Sequence, residues 1–311
     1  MKSFKALKYS ALTILGALLV SSNGFAQGMS SMRGPTNYDK VKTTITDLAT
    51  QYPNNAKLVT VGQSDSGEAI IGLVVGNGPT NHLVVATHHG NEYGSTAVAV
   101  AFAKYMAANP MPGVTMHIIP VLNIKGYNTG NRTETDKAGR TVDPNRDYPS
   151  PCNSGEPVHL LKSTKALATY VEANNIIGSA TLHTYWPAVA YPWGLGANDL
   201  STGFDEEFIR ISKIATSVSN YQVGNSTDLL YPVTGAYEDY AFWKHGIWSL
   251  LFEMGNSHSP AEASVQKMIS DNVPGLVKMF ESMTTARAPH HELTGKCIDR
   301  NALRMLDQHN E

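Results

Sequence analysis

Residues 82–92, HLVVATHHGNE, decide the fold class of this 311-residue chain. Residues 83–86 are apolar on both faces, as in a strand buried within a sheet that is covered on both sides. A helical pattern begins directly after this stretch, near Ser95, and runs to about Asn109, where Pro110 ends it. A buried strand followed at once by a helix predicts an α/β protein, in which the chemistry lies at the carboxyl ends of the strands.

The same alternation extends in both directions along the chain. Strands are expected at 58–61, 69–75, 82–87, 114–121, 179–183 and 249–254, and helices at 38–52, 95–109, 158–174, 204–218 and 261–285. No repeat, low-complexity tract or interdomain linker interrupts this pattern in the sequence. We therefore expect one domain, built on a mixed, mostly parallel twisted sheet with helices on both faces.

The first 26 residues have the pattern of a secretory signal peptide. Three lysines precede an apolar run at about 11–20, and the small residues Gly24 and Ala26 fit cleavage after Ala26. The rival interpretation is an uncleaved membrane anchor, and the short apolar run argues against it. Cleavage would leave 285 residues, with a leader at 27–36 and the folded domain at 37–311. We expect an exported protein, periplasmic or secreted, with no membrane association after the signal is removed.

Charge and cysteine content narrow the function classes further. The chain has 24 basic and 26 acidic residues, and loss of the three signal-peptide lysines takes the net charge from −2 to −5. A mildly acidic chain without a Lys/Arg cluster is not expected to bind nucleic acid. Cys152 and Cys297 would meet an oxidising compartment after export. They either pair there or remain two buried thiols, and their spacing does not decide between these outcomes.

Four side chains with metal or acid–base chemistry lie at the carboxyl ends of predicted strands or just after them. His89 and Glu92 are three residues apart where a strand turns into a helix, a spacing that lets both reach one cation. His183 ends another strand, and two His with one Glu form a known catalytic zinc set. Glu253 ends an apolar strand, where a carboxylate is costly unless it is used. It is either a general base or a structural acid paired with an arginine.

Two polar loops carry groups that suit an anionic substrate. Asn145 and Arg146, within VDPNRDYP at 142–149, offer an amide and a planar guanidinium for a carboxylate. Arg132, within NIKGYNTGNR at 123–132, could stabilise an oxyanion. The alternative is that these are solvated arginines in turns. Residues 231–240, YPVTGAYEDY, are predicted to be a glycine-bearing loop with two acids.

The order of these residues resembles that of the carboxypeptidase A-like zinc metallocarboxypeptidases. The likeness covers nearly the whole chain after the signal peptide, from the first helix and the turn GQSDSG at 62–67 to the strand ending at Glu253. Each motif is unspecific alone, whereas their joint order is specific. The residues that match the family's motifs are His89, Glu92, Arg132, Asn145, Arg146, His183, Tyr231 and Glu253.

The resemblance implies a carboxypeptidase A-like fold and an enzyme that hydrolyses the C-terminal amide bond of peptides with zinc-activated water. It implies one Zn²⁺ per chain and a peptide substrate. The matching metal ligands are His89, Glu92 and His183. Glu253 matches the general acid/base, and Arg132 matches the arginine that stabilises the oxyanion.

The same resemblance assigns the substrate-binding side chains. Asn145 and Arg146 match the residues that hold the terminal carboxylate, and Tyr231 matches the tyrosine over the bound end group. Glu238 stands seven residues after Tyr231, where the family sets its specificity pocket. It would attract a basic end group, unless it is a solvated acid beside Asp239.

Departures from the family's pattern leave other substrates open. Digestive members have an arginine between the first two ligands, where this chain has Asn91, and Arg140 rivals Arg132 for the oxyanion role. The short loop at 126–132 and YPVTGAY at 231–237 are similar to bacterial murein-peptide members, which cut γ-D-glutamyl-diaminopimelate bonds. A murein peptide is therefore the alternative substrate. Succinylglutamate desuccinylase and aspartoacylase-like amidohydrolases share the start His-Gly-Asn-Glu, but the signal peptide and the 126–132 loop argue against them.

Overall fold

The computed structural model describes residues 37–153 and 155–298. The predicted signal peptide at 1–26 and leader at 27–36 lie outside the described residues, as do residue 154 and residues 299–311 of the predicted domain. Within the described part of the chain, no helix combines the length and the hydropathy that a bilayer crossing requires.

The described chain contains eight α-helices and ten strands. The helices are α1 (Asn37–Gln51), α2 (Tyr93–Ala108), α3 (Ile124–Thr129), α4 (Lys162–Ala173), α5 (Asp205–Ala215), α6 (Ser226–Leu229), α7 (Tyr237–His245) and α8 (Glu262–Ser282). The strands are β1 (Ala56–Gln63), β2 (Ala69–Gly76), β3 (Thr80–Ala86), β4 (Val114–Ile119), β5 (Glu134–Thr135), β6 (Thr141–Val142), β7 (Ile176–His183), β8 (Ala188–Tyr191), β9 (Gln222–Asn225) and β10 (Trp248–Glu253). A 3₁₀ turn covers Pro144–Arg146.

Eight strands form one mixed sheet in the order β1-β2-β4-β3-β7-β10-β8-β9, and β5 and β6 form a separate hairpin. The four central strands β4, β3, β7 and β10 are parallel, whereas β1, β2 and β8 pair antiparallel with their inner neighbours. All eight residues of β7 are buried. Burial on both faces explains the near-continuous apolar runs of the central strands and confirms the predicted α/β sheet with helices on both faces.

Two aromatic clusters show how helices pack beside this sheet. Phe102 of α2 lies against Phe280 of α8, with ring centroids 6.2 Å apart. Phe208 of α5 packs at 5.2 Å from Phe242 of α7 and at 5.3 Å from Trp248 of β10. Phe208 therefore packs α7 and β10 against each other, and both elements carry side chains of the site described below.

The structure corrects one segment of the sequence analysis. Residues 231–240 were expected to form a loop, but α7 begins at Tyr237, so the second part of this segment is helical. Residues 237–242 are all buried. A helix that is buried on every side has no alternation of polar and apolar residues, and the sequence pattern therefore gave no helical signal.

The two cysteines form a disulfide bond, Cys152–Cys297, that spans a sequence separation of 145 residues. It joins the segment that follows the 3₁₀ turn to the end of the described chain. Ala197 and Cys297 also form an isolated antiparallel bridge. The disulfide and this bridge together connect three segments that are distant in sequence.

Glu134 is a buried acid whose charge is expected to cost stability. Its side-chain oxygens accept hydrogen bonds from the Asp65 amide at 3.2 Å and the Ser163 hydroxyl at 2.6 Å. Burial raises the pKa of Glu134 to about 7, although the Ser163 hydrogen bond opposes this shift. Because the folded state then binds a proton more tightly than the unfolded state, this group favours folding at low pH. Its contribution is lost as the pH rises through 7.

Glu134→Gln is therefore expected to raise the free energy of unfolding by about 2 kcal/mol at pH 8, with little difference from wild type at pH 4.5. Glutamine can accept from the Asp65 amide and donate to the Ser163 oxygen. Urea unfolding at several pH values measures the difference. Glu281→Gln on the exposed face of α8 is the matched control. A difference that does not grow between pH 4.5 and 8 would show that the buried carboxylate is not the cause.

Candidate active site

The site is built at the carboxyl ends of three parallel strands. His183 and Glu253 are the last residues of β7 and β10, and they stand opposite each other in the parallel register. Ala86, the last residue of β3, pairs with Leu182. The turn after β3 therefore leaves the sheet at the same edge as His183 and Glu253.

A sharp turn after β3 brings the next histidine into the site. Thr87 has a φ of 61°, a left-handed conformation that is unfavourable for a β-branched residue. Its hydroxyl lies 2.6 Å from that of Thr96 in α2 and donates to the Pro120 carbonyl at 3.1 Å. These buried contacts hold the turn, which places His89 beside the start of α2.

His89, Glu92 and His183 converge as a candidate metal site. The Nδ1 atom of His89 is 2.7 Å from Oε1 of Glu92, and the Nδ1 atom of His183 is 3.1 Å from Oε2. The two Nδ1 atoms are 3.2 Å apart. All three residues are buried, and their ligand atoms lie within 4.8 Å of one another. The predicted ligand set is thus brought together by the fold.

The chemistry of these donors fits a zinc ion. Two imidazole nitrogens and one carboxylate are a known catalytic zinc set that leaves a coordination position open. Burial lowers the pKa of His89, but the charges of Glu92 and Asp143 outweigh burial and raise it to about 9. The surroundings therefore favour a positive charge between these atoms, and a bound cation satisfies the same preference.

Asp143 is a site residue that the sequence analysis did not assign. Its Oδ1 accepts from His89 Nε2 at 3.1 Å and from the Asn145 amide at 2.9 Å. Its Oδ2 accepts from Arg132 Nε at 3.0 Å. Because a carboxylate here can only accept, Asp143 keeps a proton on Nε2 and leaves Nδ1 of His89 to bind a metal. The sequence feature that could have identified Asp143 is its position two residues before Asn145.

Glu253 is placed to exchange protons in the same cleft. It lines the cleft with His89 and His183. Its buried Oε2 has no hydrogen-bond partner within residues 37–153 and 155–298. Burial, followed by the negative charge of Glu92, raises the pKa of Glu253 well above its usual range. The alternative of a structural acid paired with an arginine is not what the described side chains show, because no ion pair to Glu253 occurs among them.

The structure separates the two candidate oxyanion arginines. Arg132 lines the cleft, and its Nη1 lies 3.8 Å from Oε1 of Glu92. Arg140 instead pairs with Asp136, with an Nη2–Oδ2 distance of 2.7 Å, and its side chain is 56% exposed. The hairpin of β5 and β6 thus directs only Arg132 toward the metal ligands.

The cleft wall also contains the predicted carboxylate-binding side chains, which are Asn145, Arg146 and Tyr231. Asn145 Oδ1 accepts from the Tyr237 amide at 2.8 Å, which fixes the side chain to the start of α7. Arg146 Nη2 donates to the Tyr231 hydroxyl at 3.2 Å. Gly235 is required here, because its φ is 79° and a Cβ atom would lie 2.4 Å from the Arg146 carbonyl oxygen. Two donors and an exposed phenol therefore face a shared space.

Glu238 is not a solvated acid, because only 2% of it is exposed. Thr181 Oγ1 donates to its Oε1 through a very short hydrogen bond. Asn145 Nδ2 lies 3.5 Å from its Oε2. No Lys or Arg of the described chain forms an ion pair with Glu238. A buried carboxylate in the cleft wall without a cationic partner is an unusual and costly arrangement.

These side chains surround one cleft that is open to solvent and has an internal volume of about 50 Å³. Its wall contains the metal-ligating histidines, Glu253, Arg132, the Asn145–Arg146 pair, Tyr231 and Glu238. Asp239 and Gly194 complete the wall on the side of Glu238. The arrangement can bind a metal, accept a proton, stabilise an oxyanion and hold a carboxylate in one place.

Comparison with known proteins agrees with this site. A family model described as zinc carboxypeptidase matches residues 41–275. Carboxypeptidase B of Astacus astacus is 22% identical over 250 residues, which cover 68% of this chain and 82% of that protein. The structure of bovine thrombin-activatable fibrinolysis inhibitor with a tick carboxypeptidase inhibitor is similar with a TM-score of 0.71 at 18% identity, over 78% of this chain and 95% of that one.

A more distant structural neighbour is the murein-tripeptide amidase MpaA of Escherichia coli O157. Its TM-score is 0.51 at 13% identity, over 73% of this chain and 93% of that one. The structural neighbours establish the carboxypeptidase A-like fold, and the family match covers most of the chain. This chain therefore belongs to the zinc carboxypeptidase family and is a zinc metallopeptidase.

Proposed function

We propose that this protein is an exported carboxypeptidase that removes one residue at a time from the C-terminus of peptides. The observation that carries the proposal is the placement of Asn145, Arg146 and Tyr231 in the same cleft as the metal ligands. A guanidinium and an amide bind a terminal carboxylate, which no internal peptide bond can provide. The signal-peptide pattern at 1–26 supports export, and N-terminal sequencing of the mature protein should then begin at Gln27.

The metal ligands, Glu253 and Arg132 each have a role in this reaction. When bound to His89, Glu92 and His183, zinc supplies Lewis acidity for amide hydrolysis. Glu253 accepts a proton from the attacking water and returns it to the leaving nitrogen. Arg132 stabilises the negative charge that develops on the carbonyl oxygen, and Asp143 orients its guanidinium.

Peptides that differ only at the terminal group test this function. A peptide with a free C-terminal carboxylate should lose one residue, as read by mass spectrometry. The same peptide with a C-terminal amide should react at least about 100-fold more slowly, because the carboxylate-binding groups are left unpaired. Equal cleavage of both forms, or cleavage at internal bonds, would rule out a carboxypeptidase.

We further propose that the terminal residue is basic. Glu238 is buried in the cleft wall without a cation of the described chain, so the ammonium or guanidinium of a substrate would supply the missing charge. Thr181 holds the carboxylate in place. The same charge fits the free ammonium of a terminal diaminopimelate, and this supports murein peptide as the alternative substrate.

Glu238→Gln is expected to weaken kcat/KM for peptides ending in Lys or Arg by about 30-fold or more, equivalent to ~2 kcal/mol. The loss for a Phe-ending peptide should be small, because Gln keeps the hydrogen bond from Thr181. An equal loss on both substrates would discard the specificity role. Murein tripeptide and tetrapeptide, digested in parallel with the Lys-ending peptide by wild type, decide between the two substrate classes.

A further inference from the structure

We propose that the Cys152–Cys297 disulfide is a positioning device for the substrate's terminal residue. It links the carboxylate-binding segment to the part of the cleft wall that contains Gly194. The linkage runs through residues 288–298, which we call the tail strap. The inference rests on the proposed carboxypeptidase function for its kinetic consequence, but its structural consequence can be measured without any substrate.

The first wall lies close to Cys152 in the chain. Cys152 follows Arg146 by six residues. Between them, the Tyr148 amide donates to the Gly235 carbonyl at 3.1 Å, which joins this segment to the loop that carries Tyr231. The Cys152 amide donates to the Ser150 hydroxyl at 3.3 Å. A shift of Cys152 is therefore transmitted over a short, hydrogen-bonded stretch to Arg146.

The second wall is formed by Gly194 and the residues that hold it. The Gly194 amide donates to both carboxylate oxygens of Asp239, at 2.9 and 3.2 Å, and its carbonyl accepts from the Val233 amide at 2.6 Å. A Cβ atom on Gly194 would lie 3.0 Å from the Cβ of Ser226 and 3.4 Å from Asp239 Oδ2. This wall is tightly packed, so a small displacement changes the space left for an end group.

The tail strap attaches to this wall beside Gly194. The Ile298 amide donates to the Gly196 carbonyl at 2.8 Å, and the Asn198 amide donates to the Lys296 carbonyl at 3.1 Å. The Lys296 amide donates in turn to Asn198 Oδ1 at 2.7 Å. The segment 196–198 is thus paired with the residues on both sides of Cys297.

Little apolar burial holds the strap in place. Ala288 is its one buried residue, and most of the other ten are exposed. Leu293 is partly buried against the core. The first part of the strap is tied elsewhere, by the Ala288 amide to the Gly246 carbonyl at 2.8 Å and by His291 Nδ1 to the Trp243 carbonyl at 2.7 Å. The exposed residues 296–298 have few buried contacts, so their position depends on the disulfide and on the hydrogen bonds to 196–198. Cutting the disulfide should therefore loosen both walls of the terminal-residue pocket.

The metal ligands and Glu253 should not be affected. They stand on β3, β7 and β10 or next to them, at the buried centre of the sheet. The walls bind the end of the substrate in the same way before and during reaction, so loosening them raises KM and leaves kcat. Reduction by an external dithiol transfers two electrons and two protons to the disulfide, giving two thiols and an oxidised dithiol.

The test compares wild type with Cys152→Ser/Cys297→Ser, at a temperature where urea unfolding shows both to be fully folded. We expect faster amide hydrogen exchange at 144–150 and 193–198, unchanged exchange in β7 and β10, and unchanged zinc content. With a C-terminal peptide acid, KM should rise by about tenfold at constant kcat. Dithiol treatment should reproduce this in wild type and have no effect on the double variant, which also controls for zinc chelation by the dithiol.

Asn198→Ala keeps the disulfide and removes one strap contact, so it should shift exchange and KM in the same direction by less. Unchanged exchange in both walls after the disulfide is cut would overturn the proposal, whether or not the protein cleaves peptides. Equal effects on KM and kcat, or faster exchange throughout β7 and β10, would show a general structural role instead. A wild type that cleaves no free-acid peptide would refute the proposed function, and the exchange measurement would still decide the role of the disulfide.

Discussion

Glu253→Gln should lower kcat by about 10²- to 10⁴-fold, the range that a positioned general base contributes. Glutamine has nearly the same shape, so the β10 register with His183 is preserved. It cannot accept the proton of the attacking water or return one to the leaving nitrogen. Steady-state kinetics on a C-terminal peptide acid measure the loss, and KM should change little because Glu253 does not bind the end of the substrate.

Glu238→Gln is the matched control for this substitution, because it makes the same chemical change in the same cleft. It should act on basic substrates and leave kcat on a Phe-ending peptide close to wild type. Zinc content should be equal in both variants, since neither residue belongs to the ligand set. A Glu253→Gln enzyme with near wild-type kcat would remove Glu253 from the base role.

The parts of the fold that could be predicted are those with a strong local pattern. The central strands are long apolar runs. His183 ends one of them, and His89 and Glu92 come just after another, in a sheet whose parallel strands end at the same edge. Each of the helices α1, α2, α4, α5 and α8 shows an apolar run or a periodic face in the sequence. The sequence was sufficient to predict these elements, because the local hydrophobic pattern and the α/β topology favour the same fold.

The parts that could not be predicted depend on contacts between distant segments. Nothing in the sequence near Asp143 shows that it reaches His89, 54 residues earlier. Arg132 and Arg140 could be separated only by the β5–β6 hairpin, which pairs over just two residues in each strand. Glu238 was ambiguous because burial of α7 is a property of the packed core and has no periodic signature.

The pairing of the cysteines belongs to the same class. Cys152 and Cys297 are 145 residues apart, so only the folded chain can show whether their backbones approach. In the structure the approach is prepared by the bridge between Ala197 and Cys297. A pairing that depends on a third segment could not be read from the spacing of the two cysteines.

Removing one metal ligand is the second change with a large expected effect. His183→Ala should reduce zinc in purified, dialysed protein from about one per chain to nearly none. His183 is fully buried, and its Nδ1 lies 3.2 Å from that of His89. Its loss leaves only His89 and Glu92 of the ligand group, which is too few for a catalytic zinc site. Activity should be lost with the metal, and circular dichroism checks that the variant folds.

Asp143→Asn provides the graded comparison that separates metal binding from the arrangement of the cleft. It keeps all three ligands but weakens the acceptor for His89 Nε2, so zinc affinity should fall by about 10- to 100-fold while saturating zinc still fills the site. Because Asp143 also holds Arg132, turnover should stay low even in excess zinc, whereas the exposed Asp47→Asn control on α1 should match wild type. Full recovery of Asp143→Asn by zinc would confine Asp143 to metal binding, and a His183→Ala protein that retains one tightly bound zinc would refute the ligand set.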